Sequence, residues 1–116
     1  IPSRLVGSEM CIRDRTNIKD KVQERVTDHM FWLWTSLNYS DEFFELAISG
    51  PDALQKGKEI SLKYIPNSVI ASGNKPSNLY LLKDRFFDDE TYIYVCVDNT
   101  CKFPVNSIEE AIKLIE

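Results

Sequence analysis

Residues 91–101 read Thr91-Tyr92-Ile93-Tyr94-Val95-Cys96-Val97-Asp98-Asn99-Thr100-Cys101. The run Thr91–Val97 is β-branched and aromatic throughout, which suits a pleated, half-buried surface, so it is the firmest strand in the chain. Asp98-Asn99 suits a tight turn. Cys101-Lys102-Phe103 is then expected to return as a short strand before Pro104. With Asp98 and Asn99 as the two loop residues, Val97 faces Thr100 and Cys96 faces Cys101. Opposed residues of a non-hydrogen-bonded pair have Cα atoms about 4.5 Å apart, near the lower end of the disulfide range, so these thiols can meet.

Working outward, the apolar run Phe43–Ser49 is expected to be a buried strand. Gly50-Pro51-Asp52 then opens a helix, with Pro51 suited to the first helical position. Leu54, Ile60 and Tyr64 are assigned to its buried side, Gly57 to a close approach to the sheet, and Pro66 to its end. Asn67–Ser72 is expected to be a second strand and Gly73–Pro76 a turn. Ser77–Lys83 is assigned a helical turn or two. Two strands joined by one helix should be parallel with a right-handed crossover, and the hairpin adds antiparallel strands. Toward the C-terminus, Ser107-Ile108-Glu109-Glu110 is a capping box. It starts a helix whose Ile108, Ala111, Ile112 and Ile115 share one face.

Toward the N-terminus, Ile18, Val22, Val26, Met30, Leu33 and Leu37 recur at spacings of four and three, which predicts one helix from about Asn17 to about Leu37. Phe31, Trp32 and Trp34 cannot all face one core, so some should cover a neighbouring surface. The fold class expected is α/β: an N-terminal amphipathic helix, a small mixed sheet made of a β-α-β unit and a β-hairpin, and a C-terminal helix.

The whole chain has 116 residues, 43% hydrophobic and 28% charged, with a net charge of −4. That is one small domain's worth of chain, and folding at this size buries about two thirds of the unfolded surface. No apolar run approaches the roughly 20 residues needed to cross a bilayer. An acidic balance with no basic cluster argues against a nucleic-acid partner.

Few residues offer chemistry. Cys96 and Cys101 suit a redox pair or half a metal site, but also two small buried hydrophobes or a structural bridge; the last two are favoured. A zinc site normally needs four ligands, and these two cysteines with His29 fall short, so no metal and no cofactor are expected. The C-x-x-C spacing of disulfide oxidoreductases is absent. Gly50 lies at a strand-to-helix turn whose N–H groups suit an anion, and Gly73 at a second turn. The Gly50 turn has one glycine, not a G-x-G-x-x-G, so a plain turn is favoured. Asp84, Asp88, Asp89 and Glu90 form a charged loop, read as solvation rather than an acid/base pair. A lone His29 beside Met30 and Leu33 is read as a packed or capped side chain.

Two resemblances bear on what the chain is. Glu9–Asp14 can be encoded GAG-ATG-TGT-ATA-AGA-GAC, which resembles a transposon-end sequencing adaptor translated in frame. On that reading residues 1–15 are not native, and the chain is the C-terminal part of a longer protein. Setting them aside removes Cys11 together with three basic and two acidic residues, leaving 11 and 16 and a net charge of −5. Second, Tyr64-Ile65-Pro66-Asn67, Thr91–Cys96, Cys101-x-x-Pro104 and the closing helix resemble the extreme C-terminus of one family. These are the large thioredoxin-domain proteins whose animal member is called spermatogenesis-associated.

That resemblance implies a thioredoxin-like domain, then a six-hairpin α/α barrel similar to sugar epimerases and glycosidases, then a small α/β segment. Residues 16–40 would be a last helix of the barrel and 41–116 the α/β subdomain. Cys96, Cys101 and Pro104 match the family's terminal motif. The function so implied is a non-catalytic subdomain packing on the rest of its parent chain. The parent itself is redox- or carbohydrate-related by fold analogy. The alternatives are a thiol–disulfide role for Cys96 and Cys101, and binding of a small anionic or sugar ligand. No nucleic-acid or membrane partner is expected, and two cysteines fit a reducing cytoplasm. The element order is also that of a thioredoxin core. Gly50-Pro51-Asp52-Ala53 stands where such a core carries C-x-x-C, so no thiolate could form there.

Overall fold

A computed structural model describes residues 3–116, with side chains from Ile12 onward; the first two residues of the adaptor-like stretch lie outside it. The chain divides between Asp41 and Glu42 into two compact units. The second carries the sheet. Its strands are β1 (Phe44–Ser49), β2 (Ser68–Gly73), β3 (Tyr92–Val97) and β4 (Thr100–Cys101), in the order β2-β1-β3-β4. β1 and β2 are parallel, from Phe44 opposite Ser68 to Ser49 opposite Gly73. β3 runs antiparallel to β1, with Glu45 opposite Cys96 and Ser49 opposite Tyr92. The mixed α/β sheet is therefore the one expected.

Helix α3 (Ala53–Ser61) joins β1 to β2, and α4 (Ile108–Ile115) follows the hairpin. Alternation along the strands sends Phe44, Leu46, Ile48, Ile93 and Val95 into one core with Ala53, Ile60 and Ala111 of the helices. Ile108, Ile112 and Ile115 pack against that core, as their spacing predicts. Ser107 Oγ accepts from the Glu110 N–H, so the N-cap forms. The central strand β1 is buried on both faces, which is why it reads as a continuous apolar run.

On α3, Ile60 is buried and Gly57 approaches the sheet as expected, whereas Leu54 and Tyr64 are not buried. Ala53, Gly57 and Ile60 face inward, whereas Leu54 is 47% exposed and Tyr64, beyond the helix end, 92% exposed. The reason is close packing. A Cβ on Gly57 would lie 2.7 Å from Ser72 Oγ, so the helix meets the sheet along the Ala53–Gly57–Ile60 side, and Leu54 lies off it.

Tyr92, Tyr94 and Cys96 of β3 alternate away from the helices. Residues 74–91 lie against that second face. Leu82 is buried and approaches Gly73, and the Phe87 ring meets Tyr92 edge-on at 5.6 Å. Where a helical turn or two was expected, one turn forms, with the Leu82 and Lys83 N–H groups donating to Leu79 O. Asp84 at φ 58° reverses the chain immediately afterwards.

The first unit is helical: α1 (Ser3–Glu24), a 3-10 turn (Val26–His29) and α2 (Met30–Ser40). A single helix from Asn17 to Leu37 does not form. Arg25 leaves helical geometry at φ −137°, ψ 73°. β-branched Val26 and Thr27 follow it, and the His29 ring bonds the Arg25 carbonyl at 2.9 Å, competing with the backbone ladder. The break divides the apolar stripe. Val22 is buried, while Val26, Met30 and Leu37 are exposed. α1 continues back through residues 3–15 despite their lack of helical period, and among the described side chains before Val22 none is buried.

Candidate functional site

Cys96 and Cys101 sit opposite one another across the β3–β4 hairpin. Asp98 and Asn99 both take positive φ, 49° and 64°, as a two-residue type I′ turn demands. The Lys102 N–H donates to Val95 O at 2.9 Å, which makes the cysteines a non-hydrogen-bonded pair. Their Cα atoms are 3.9 Å apart and the sulfurs are joined as a disulfide. The two thiols that the sequence places opposite each other therefore meet and are bonded. Cys96 is 1% exposed, while Cys101 is exposed on the outermost strand. The strand is shorter than expected and does not reach Phe103. Pro104 has no N–H to offer, and pairing resumes at Val105, which exchanges two hydrogen bonds with Ile93.

The residue that sequence reasoning missed is Arg85. Reversed by Asp84, its side chain lies against the second face of the sheet. Nη1 donates to Cys96 Sγ at 3.7 Å and Nη2 to Cys101 Sγ at 3.3 Å. The guanidinium carbon stands 4.9 Å from the centre of the Tyr94 ring, within cation–π range. The sequence signal is faint: a single arginine in an acidic loop, with no spacing that ties it to the cysteines. Tyr80, in the same loop, donates to Asn99 Oδ1 at 2.5 Å and so braces the hairpin turn. Lys102 Nζ donates to Leu114 O at 2.5 Å near the end of α4.

Closing so short a loop contributes about 2 kcal/mol at most through the unfolded chain. The hairpin ladder already holds both Cα atoms, so the bridge adds little that the turn does not supply.

The other sequence-selected positions lie apart. The Gly50 N–H donates to Gly73 O at 3.2 Å and the Asp52 N–H to Thr91 Oγ1 at 2.9 Å, so both donors at that turn are occupied. α3 starts at Ala53, and no cysteine lies at its start. Asp84, Asp88, Asp89 and Glu90 are exposed. Glu90 Oε2 accepts from the Tyr92 hydroxyl at 2.8 Å. That hydrogen bond raises the tyrosine above its ordinary pKa, with the neighbouring negative charges of Glu90 and Asp89 adding to it. His29 caps a carbonyl of its own helical unit. Among the described residues no three His, Cys, Asp or Glu side chains gather as a metal would require. Among the described residues no helix is long and apolar enough to cross a membrane.

A cleft of about 620 Å³ lies between α1 and α2, lined by Ile18, Val22, Trp32 and Leu33 among others. The opposite side of α2 is also apolar: Met30 (61%), Phe31 (80%), Trp34 (52%) and Leu37 (64%) are exposed there. Comparison of the chain with protein-family models, curated proteins and solved structures finds no match.

Proposed function

We propose that the chain is the C-terminal part of a larger thioredoxin-domain and α/α-barrel protein, and that its α/β unit is a non-catalytic subdomain packing on the barrel. The observation that carries this reading is the exposed apolar side of α2, the helix that the reading assigns to the end of the barrel. Met30, Trp34 and Leu37 are spaced i, i+4 and i+7, and Phe31 flanks them. A contiguous exposed patch of this kind marks an interaction surface rather than a surface meant for water. The match of Cys96, Cys101 and Pro104 to the family's terminal motif supports the same reading. The partner is then the remainder of the parent chain, and the setting is the cytoplasm.

The test uses the uninterrupted upstream reading frame. The helical hairpins expected there are produced separately and mixed with this chain. A one-to-one complex that Trp34→Ser weakens at least tenfold supports the reading. An upstream frame without helical hairpins, or hairpins that fold but bind the wild-type chain no better than Trp34→Ser, contradicts it.

A further inference from the structure

Beyond the packing role, and independently of it, we propose that Cys96 and Cys101 form a reversible thiol–disulfide exchange site that is consumed stoichiometrically rather than turning over, in which Cys101 reacts with an external thiol, Cys96 is its internal partner, and Arg85 steadies the thiolates. The division of roles follows from burial. Cys101 is exposed on the edge strand β4, and Cys96 is enclosed at 1% exposure. An incoming sulfur must approach along the S–S axis, and only the Cys101 end is open. Both sulfurs are within reach of one guanidinium, at 3.3 and 3.7 Å. Such a charge favours a thiolate on either atom. The guanidinium is itself held over Tyr94. Other charged groups near the pair are Glu45, opposite Cys96 on β1, Lys102, next to Cys101, and Glu42, which lines a hollow with Cys101 and Lys102.

Exchange proceeds in two displacements. An external thiolate attacks Cys101 Sγ. The bond between the two cysteine sulfurs breaks, and its electron pair leaves on Cys96 Sγ beside Arg85 Nη1. Cys101 and the external sulfur are then joined as a mixed disulfide. A second external thiolate attacks that external sulfur, releasing Cys101 as a thiolate. Two external thiols are thereby oxidised to one disulfide, and the pair takes up two electrons and two protons. The backbone hardly needs to move. The turn at Asp98-Asn99 and the Lys102–Val95 hydrogen bond hold the two Cα atoms opposite each other whether or not the sulfurs are joined. The external thiol comes either from a small monothiol or from a protein dithiol, and both share this chemistry.

The test equilibrates the full chain with glutathione buffers of graded ratio, and in a second arm with reduced thioredoxin, then traps free thiols by alkylation and weighs the product. The expected result is a two-electron transition within the glutathione series, with the circular dichroism spectrum unchanged on reduction. Faster reduction in the thioredoxin arm at matched potential identifies a protein dithiol as the source, and equal or slower reduction a monothiol. All variants carry Cys11→Ser, so that only the hairpin thiols are read; in Cys96→Ser the mixed disulfide with glutathione should form on Cys101, whereas in Cys101→Ser the remaining Cys96 should react at least tenfold more slowly. Arg85→Gln in the Cys96→Ser background should slow alkylation of Cys101 at neutral pH by about three- to tenfold and move its pH profile upward, with Arg85→Lys restoring part of the rate. A chain that stays oxidised throughout both arms, or a Cys101 profile indifferent to Arg85, overturns the proposal.

Discussion

At the scale of single residues, the fold depends on positions where there is no room. Gly50 takes φ 139°, and a Cβ there would lie 2.5 Å from the backbone of Glu90 and Thr91. Gly50→Ala should therefore cost at least about 2 kcal/mol, read as a lower urea midpoint at unchanged slope. Ser49 presents the opposite case. Its hydroxyl is buried on β1 with no hydrogen-bond partner. Ser49→Ala should be neutral or stabilising by up to about 1 kcal/mol, because it removes a desolvated polar group. A loss of more than that in the same melt would show that the hydroxyl is satisfied. Tyr92 supplies a pH signature. Its raised pKa means that the protonated hydroxyl, donating to Glu90, is the favoured form. The stabilisation is therefore present at neutral pH and is lost as pH rises through the folded-state value. Glu90→Gln should bring the tyrosinate absorbance step to lower pH, and an unmoved step would contradict the assignment.

At the scale of elements, local chemistry decided more than composition did. The hairpin was legible because Asp98-Asn99 fixes the register, and register fixes which residues oppose one another. α4 was legible because its cap and its period agree. Ser107→Ala should cost about 1 kcal/mol by leaving the Glu110 N–H without its partner, measurable by thermal melting. The helix read across residues 17–37 failed for a physical reason. A spacing of four and three shows where apolar residues recur, but not that side chains such as His29 take the carbonyls between them. Ile60 and Gly57 of α3 were legible, but Leu54 and Tyr64 were not, because the side that meets the sheet is fixed by the close approach at Ser72 and not by where large apolar residues stand. Arg85 could not be found from spacing, since its position depends on the Asp84 reversal.

At the scale of the whole molecule, the two units differ in how their apolar residues are used. Glu42–Glu116 encloses Leu46, Ile48, Ile60, Ile93 and Val95 completely. The helices before it bury little among their described side chains and leave Met30, Phe31, Trp34 and Leu37 in water. Both tryptophans of the chain, Trp32 and Trp34, belong to α2. Tryptophan emission therefore reports on that helix alone. The direct test is the emission spectrum and its iodide quenching, recorded for this chain by itself and with the helical hairpins that the proposed parent would place upstream. The expected result is a long-wavelength, readily quenched signal that moves to shorter wavelength and becomes protected when the hairpins are added. A spectrum and quenching unchanged by folded hairpins would contradict the proposal that α2 packs on the helices of a larger parent.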